Sequence, residues 1–338
     1  MSGPRPRVRW AGAADRTAPT GVARRVTPAG ARCVLTGVSV EIFEQHRGLL
    51  TGVAYRILGS AADAEDVVQE AWLRWSAVDA ADVAEPRAYL IRVVSRLAID
   101  RLRQAAARRE SYVGPWLPEP VSTEPDAAER AELVESVELA LLVVLETLSP
   151  LERAVFVLRE AFDLPHAEIA RAVGRSEAAV RQLARRARDH VHERKPRFDA
   201  DRTRRRQLTE RFAAACLTGD LDGLTGLLAH DVTLVGDGGG RGKAPLRVIT
   251  GADRVSRFFL SITSERNLRR ALEPLGAAPD ALGVAITEVN GWPAVVVTAA
   301  GQPITVISPV VAAGRIQTVY LITNPEKMSH LRLPDPSR

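Results

Sequence analysis

Arg181, Arg185 and Arg188 recur at i, i+4 and i+7, with Arg186 beside them. Val180, Leu183, Ala184, Ala187 and Val191 form a second stripe on the same segment, at the spacing of a helix face packed on a core. Guanidinium groups on such a helix can bind guanine edges bidentately or contact phosphates in the major groove. Ser176, Glu177, Arg181, Gln182, Arg185 and Arg186 lie nearest the groove in that reading. A solvated basic helix in a bundle is the alternative, and the preceding residues weigh against it. Pro165–Val173 reads as a short first helix, Gly174 breaks it, and Ser176 can cap the next. Helix, turn, cap and basic helix together make a helix-turn-helix.

A second cluster of charge is acidic. Asp63, Glu65, Asp66 and Glu70, with Gln69 and Trp72 among them, fall on a predicted helix over 63–76. Acids near its start favour that polarity. A third helix opens near Glu85–Pro86 and runs through Arg103, with Leu90, Val93, Val94, Leu97 and Leu102 on its core stripe. Arg87, Arg92, Arg96, Arg101 and Arg103 decorate the rest, a surface able to track phosphates of a separated strand. Tyr89 can stack on a base or fill a core position.

Little in the sequence points to catalysis. His230, Asp231, Asp237 and Tyr320 could serve as acid, base or donor, but they form no recognisable set. The Gly-rich loop Asp237–Lys243 is not a phosphate-binding loop: Asp237 holds the first glycine position and Ala244 replaces the metal-binding hydroxyl. Cys33 and Cys216 lie far apart, and His190 and His192 merely alternate on a charged helix end. No catalytic residue, cofactor or metal is expected.

These groups must be positioned by several domains, because 338 residues exceed one core. The first forty residues carry seven arginines and one acid, so the net charge of +5 is a property of that extension plus local clusters. Residues 1–39 lack a hydrophobic period and are expected to be disordered. They are either a nonspecific DNA-binding arm or lie upstream of the true start. Residues 40–110 form a first helical domain. Residues 111–128 are a Pro-rich linker whose Tyr112–Pro120 stretch is too apolar for a free tether and should dock, with Trp116 and Leu117 against the Gly-rich loop. Residues 129–195 form a second helical domain, in which Ser149–Glu152 is a capping box with Pro150 at the first helical position. Residues 192–206 are a charged extension or hinge. From 204 to 325 the pattern predicts helices at 205–218 and 220–229, a strand at 232–235, a helix at 252–264, and strands at 282–289, 294–299, 303–311 and 315–322. Helices before strands suggest an α+β domain with a curved antiparallel sheet. Residues 326–338 are a polar tail. No apolar stretch is long enough for a membrane-spanning helix.

In this order the pieces resemble a sigma factor of the extracytoplasmic-function type. Asp63–Trp72 looks like the helix that docks on the clamp of core RNA polymerase. Tyr89–Arg103 looks like the −10 recognition region, and Ser149–Glu193 like the −35 domain. Three short motifs narrow the resemblance: Trp116-Leu117-Pro118-Glu119-Pro120, Asp237-Gly238-Gly239-Gly240 and Asn324-Pro325-Glu326-Lys327. Together they are similar to the subgroup with a fused SnoaL-like C-terminal domain. The last motif departs mildly, with Glu326-Lys327-Met328 where that subgroup has Asp-Lys-Leu.

The resemblance implies a multidomain chain: two all-α sigma domains, the second with the helix-turn-helix, followed by an α+β SnoaL-like domain of the NTF2/cystatin-like cone type. It implies a cytoplasmic, non-enzymatic initiation factor that binds core RNA polymerase and promoter DNA. The third domain is then a built-in regulator that holds the linker and so fixes the two DNA-binding domains. It implies a monomer in the free state. Two alternatives stay open: a C-terminal domain that binds or converts a small ligand, and a conventional helix-turn-helix regulator.

Overall fold

A computed structural model describes residues 37–109, 111–123, 138–194, 201–241, 243–278 and 281–331. The basic extension, the end of the linker, the start of the second helical domain and the last seven residues lie outside the described residues.

The first helical domain consists of α1 (Gly37–Leu58), α2 (Ala61–Ser76) and α3 (Pro86–Arg109). Ser60 caps α2 by accepting from the amide of Asp63 at 3.1 Å, and Asp63 itself lies in the first turn, where an acid favours the helix N-terminus. Trp75 is fully buried, and its indole nitrogen donates to the carbonyl of Ser39 at 2.8 Å. Helix α3 runs two turns beyond the expected Arg103, because Gln104–Arg109 contains nothing that stops a helix.

The second helical domain holds α4 (Leu139–Leu145), α5 (Pro150–Phe156), α6 (His166–Val173) and α7 (Glu177–Arg194). Ser149 and Glu152 form a complete capping box with Pro150 at the first position. Helix α5 widens into a π turn, Val157–Ala161, before the chain enters α6. Gly174, at φ 67°, ends α6 in the left-handed conformation and turns the chain. Ser176 accepts from Ala179 N at 3.2 Å. The inward stripe of α7 is Val180, Leu183, Ala184, Ala187 and Val191, all buried.

The two helical domains share one core. Leu50, Val67, Trp75, Leu90 and Val94 of the first are continuous with Leu142, Val155, Leu158, Ile169 and Val180 of the second. Each large apolar side chain buried there contributes about 1.5–3 kcal/mol relative to exposure.

The C-terminal domain opens with α8 (Arg202–Thr218) and α9 (Leu221–Leu227), followed by β1 (Leu228–Asp237) and β2 (Ile249–Thr250). Helices α10 (Ala252–Thr263) and α11 (Glu265–Leu272) precede β3 (Leu282–Val289), β4 (Trp292–Ala299), β5 (Gln302–Ala312) and β6 (Arg315–Ile322). Among the described residues the sheet order is β2-β1-β6-β5-β4-β3. The pair β1–β6 is parallel, from Thr233↔Thr318 to Asp237↔Ile322, so the sheet is mixed rather than wholly antiparallel as the hairpin pattern suggested. The helices and hairpins between β1 and β6 bring the chain back in the same direction. Strand β1 begins at Leu228, so His230 and Asp231 lie in a strand, not at a helix end or turn. The β3–β4 hairpin turns at Asn290 and Gly291, with φ of 52° and 77°, as a two-residue turn requires.

One face of the sheet packs on α8, α9 and α10. Phe212 and Phe259 meet edge to face at 5.0 Å, filling the cone with Leu234, Val295 and Val319. The opposite face carries Val296, Val306, Tyr320 and Ile322. It is covered by Leu117 of the linker, Leu139 and Ala140 of α4, and Met328 and Leu331 of the tail.

Candidate functional site

The last residue of β1, Asp237, is fully buried and gathers the three short motifs. Its Oδ1 accepts from Tyr112 Oη at 2.5 Å and from Gly239 N at 3.1 Å. Its Oδ2 accepts from Leu117 N at 2.8 Å and from Lys327 Nζ at 2.7 Å. Lys327 also donates to the carbonyl of Leu117 and lies 3.9 Å from the centroid of the Trp116 ring. Asn324 Nδ2 donates to Tyr112 Oη at 2.9 Å, and its Oδ1 accepts from Glu326 N. A carboxylate and an ammonium can be buried only when paired and hydrogen-bonded, and here linker, loop and tail each supply part of that requirement. Burial first, then the bond to Asp237, pushes the Tyr112 phenol well above its ordinary pKa.

The glycines after Asp237 serve close approach. A Cβ on Gly239, at φ 59°, would stand 2.5 Å from the Asn324 amide nitrogen; one on Gly240 would stand 3.2 Å from Val113. Their neighbours are therefore Asn324 and Val113. The sequence pointed to Trp116 and Leu117; Leu117 meets the loop at Asp237, whereas the Trp116 ring lies beside Lys327 and reaches towards Gly59. Leu117 and Pro118 are buried. Gly238 stays in the loop, and Pro325 opens a short 3-10 turn whose Glu326 pairs with Arg241 at 3.1 Å.

The linker then joins all three domains. Glu119 Oε2 accepts from Ser60 Oγ at 3.1 Å and Ala61 N at 2.9 Å, at the start of α2. Tyr55 of α1 donates to the Glu119 carbonyl at 2.7 Å and accepts from Asn290 Nδ2 at 2.7 Å. Asn290 N donates to the Val121 carbonyl, and Ser122 pairs with Val289, so the linker adds a short strand beside the β3–β4 turn. His330 of the tail places Nδ1 2.8 Å from Glu119 Oε1 and Nε2 3.6 Å from Glu65.

Direct contacts also tie the two helical domains together. Arg153 of α5 is almost wholly buried; it donates to the Arg56 carbonyl at 3.1 Å and pairs with Glu146. Arg96 of α3 donates to the carbonyls of Ala172 and Arg171 at the end of α6. Read as a −10 phosphate contact, Arg96 is here spent on a helix C-terminus, where unpaired carbonyls attract a cation. Tyr89 is half-buried, 5.8 Å from Trp75, with Arg92 over its ring. Tyr89 and Arg92 line one wall of a cleft of about 440 Å³ whose other wall is Leu164, Glu168, Arg171 and Ala172. Arg101 is a second departure. It pairs with Asp63 at 2.9 Å and Asp66 at 2.5 Å, and the bond to Asp63 leads the rise in its pKa. Arg87 is exposed, and Arg103 pairs with Asp100.

On α2, Glu65, Asp66, Gln69 and Glu70 are exposed; Glu70 pairs with Arg74, and Trp72 packs edge to face on Phe43. On α7, Arg181, Gln182, Arg185 and Arg186 face solvent. Arg181 pairs with Glu177, Arg185 approaches Asp189 at 3.8 Å, and Arg186 approaches Glu152 at 3.8 Å. Exposed pairs of this kind are weak and exchangeable for phosphates.

The residues considered for catalysis are scattered. His230 and Asp231 are exposed on β1, Asp237 is occupied by the linker, and burial pushes Tyr320 up to about 12 on the face beneath the linker. Among the described residues no group of three or more His, Cys, Asp or Glu is arranged to hold a metal. No described helix is long and apolar enough to cross a membrane. Sequence reading missed Tyr55, Arg153, Asn290 and His330. Only Asn290 carries a local signal, as Asn-Gly between two strand-like runs.

Comparison with known proteins agrees with this architecture. Sigma-70 region 2 matches residues 42–108, and Sigma-70 region 4 matches residues 138–191. The ECF RNA polymerase sigma factor SigJ of Mycobacterium tuberculosis is 47% identical over 229 residues, 67% of this chain and 73% of that protein. The probable ECF sigma factor SigI of the same species is 34% identical over 293 residues, 85% of this chain and 93% of that one. The crystal structure of M. tuberculosis SigJ superposes with a TM-score of 0.69 at 38% identity, covering 87% of this chain and all of that one. Two all-α sigma domains, a helix-turn-helix in the second and a fused α+β cone therefore make this chain a member of the extracytoplasmic-function RNA polymerase sigma factor family.

Proposed function

We propose that this sigma factor rests in a closed form, held by its own C-terminal domain, and opens to bind core RNA polymerase and promoter DNA. The observation that carries the reading is the Asp237 network, in which linker, Gly-rich loop and tail complete one buried ion pair. Trp116, Leu117, Pro118, Asp237–Gly240 and Asn324–Lys327 are the clasp. In the closed form the −10 face, with Tyr89, Arg92 and Arg96, is turned towards α6, which narrows the room for the strand it should receive to the cleft between them. Opening would free Arg96 for phosphates and let Ser176, Glu177, Arg181, Gln182, Arg185 and Arg186 enter the −35 major groove. Asp63, Glu65, Asp66, Gln69, Glu70 and Trp72 would face a basic surface of core polymerase, where charge chiefly sets orientation and encounter rate. The C-terminal domain acts in this scheme as a regulator without catalysis. Its cone is filled by Phe212 and Phe259, and its best-placed carboxylate is bound to the linker.

The test is transcription in vitro with core polymerase, comparing the full chain with Trp116→Ala, Asp237→Ala and a chain ending near Pro309. The closed-form reading expects promoter output to change with each. Output equal to that of the full chain in all three would overturn it.

A further inference from the structure

We propose that the outer face of α10 and α11 in the C-terminal domain is a second contact for duplex DNA, binding phosphates without reading sequence. Residues 241–270 hold eight Lys or Arg against two acids, whereas residues 271–331 hold two against four. The cationic groups are not scattered by the fold. Val255 and Phe259 turn α10 inward, and Leu272 does the same for α11, so Arg254, Arg257, Arg266, Arg269 and Arg270 all project outward and are exposed. Arg257 and Arg269 pair with Asp253 and Glu265 on their own helices. Arg254, Arg266 and Arg270, with Arg247 just before β2, have no carboxylate partner among the described residues. The four arginines of α7 named above as groove contacts or their neighbours each lie near an acid.

The chemistry of the face selects the partner. A protein interface needs an apolar centre to exclude water. Among the described residues no large apolar side chain of α10 or α11 is exposed, so these two helices offer charge; exposed Leu246 and Val248 flank Arg247 before β2, outside both helices. Unneutralised guanidinium groups on helices with no exposed large apolar side chain fit a regular array of phosphates, where affinity comes from counterion release. The chain is a promoter-binding factor and α8 follows closely on α7, so duplex held by the helix-turn-helix keeps this domain at high local concentration. This contact does not require the closed form, since none of the four arginines takes part in the Asp237 network.

The experiment uses the complete chain bound to core polymerase and a promoter duplex, with affinity measured between about 50 and 200 mM salt. One variant replaces Arg247, Arg254, Arg266 and Arg270 with Gln, and a second replaces the same four with Lys. The proposal expects the Gln variant to flatten the slope of log affinity against log salt by about 3–4. The Lys variant should keep the slope of the unaltered chain, which separates charge from misfolding. Equal slope and affinity for the Gln variant would overturn the proposal. So would an unchanged slope accompanied by weaker binding to core polymerase without DNA, because the face would then meet an acidic protein surface.

Discussion

Arg96 Nε donates to the carbonyl of Ala172 at 3.0 Å, joining α3 to the C-terminus of α6, the first helix of the helix-turn-helix. The same guanidinium reaches Arg171 O at 3.3 Å. A cation at a helix C-terminus contributes about 0.3–1 kcal/mol at an exposed site, so this contact biases a closed arrangement without locking it. In the proposed scheme the residue that would meet phosphates in the open form also helps to hold the closed one.

The expected consequence of Arg96→Ala is a looser pair of helical domains before any DNA is present. Dyes on Leu73→Cys and His192→Cys, both at exposed positions, would report it through energy transfer. The variant should show lower transfer than its parent in the free chain. Identical transfer would remove Arg96 from the set of closing contacts.

The Lys327–Asp237 pair should matter more, because both partners are buried. Lys327→Met leaves the Asp237 carboxylate without its cation, a change that costs about 3–5 kcal/mol when a buried pair is broken from one side. The double variant with Asp237→Asn should lose less than the two single variants summed. Thermal melting of the full chain measures the first effect. Protease cleavage within Tyr112–Thr123 measures whether the linker has left its seat. Additive losses would mean that the two residues do not act as a pair.

The helical domains were legible because their signals are local. Ser149–Pro150–Glu152, Gly174 and the Val180–Val191 stripe act within a turn or two, and the structure places each in the expected element. The cone was legible as α+β, but the parallel pairing of β1 with β6 was not, since strand direction depends on a return path across some eighty residues. The three motifs could be seen to belong together, whereas the partner assignments within them could not. Trp116 meeting Lys327 rather than the glycines follows from where Asp237 ends its strand. The partners of Arg96 and Arg101 in this form were hidden for the same reason. An arginine on a polar helix face looks the same in sequence whether it awaits a phosphate, a helix C-terminus or two aspartates. Tyr55, Arg153 and His330 acquire their roles only through residues sixty or more positions away or in another domain.

Alkaline pH should release the linker. The Tyr112 phenol is raised in the folded chain, by burial and by its bond to Asp237. A group whose folded pKa lies above its unfolded value contributes fully below the unfolded value, about 10 for tyrosine, and less as pH rises beyond it. The contribution of Tyr112 to linker docking should therefore hold as pH rises to about 10 and weaken above it. Absorbance of tyrosinate follows the event, with Tyr112, Tyr55 and Tyr320 all ionising late. Tyr112→Phe should remove one late phenol and cost about 1–3 kcal/mol, since Asp237 loses a donor while buried. Ionisation of all tyrosines at the ordinary value in the folded chain would contradict this seating of the linker.

Arg181 tests the −35 assignment most directly. It is exposed on the second helix of the helix-turn-helix and, among the described residues, pairs with Glu177 one turn earlier, so its removal should leave the fold intact. Arg181→Ala should weaken −35 binding by about 1–3 kcal/mol if the side chain meets a base edge, and should relax sequence preference at that one position. A phosphate contact would instead lower affinity evenly across sequences and reduce the salt slope by about 1. Competition between promoter duplexes altered one base pair at a time, bound by the variant together with core polymerase, separates the two. Promoter affinity equal to that of the parent chain would take Arg181 out of the interface.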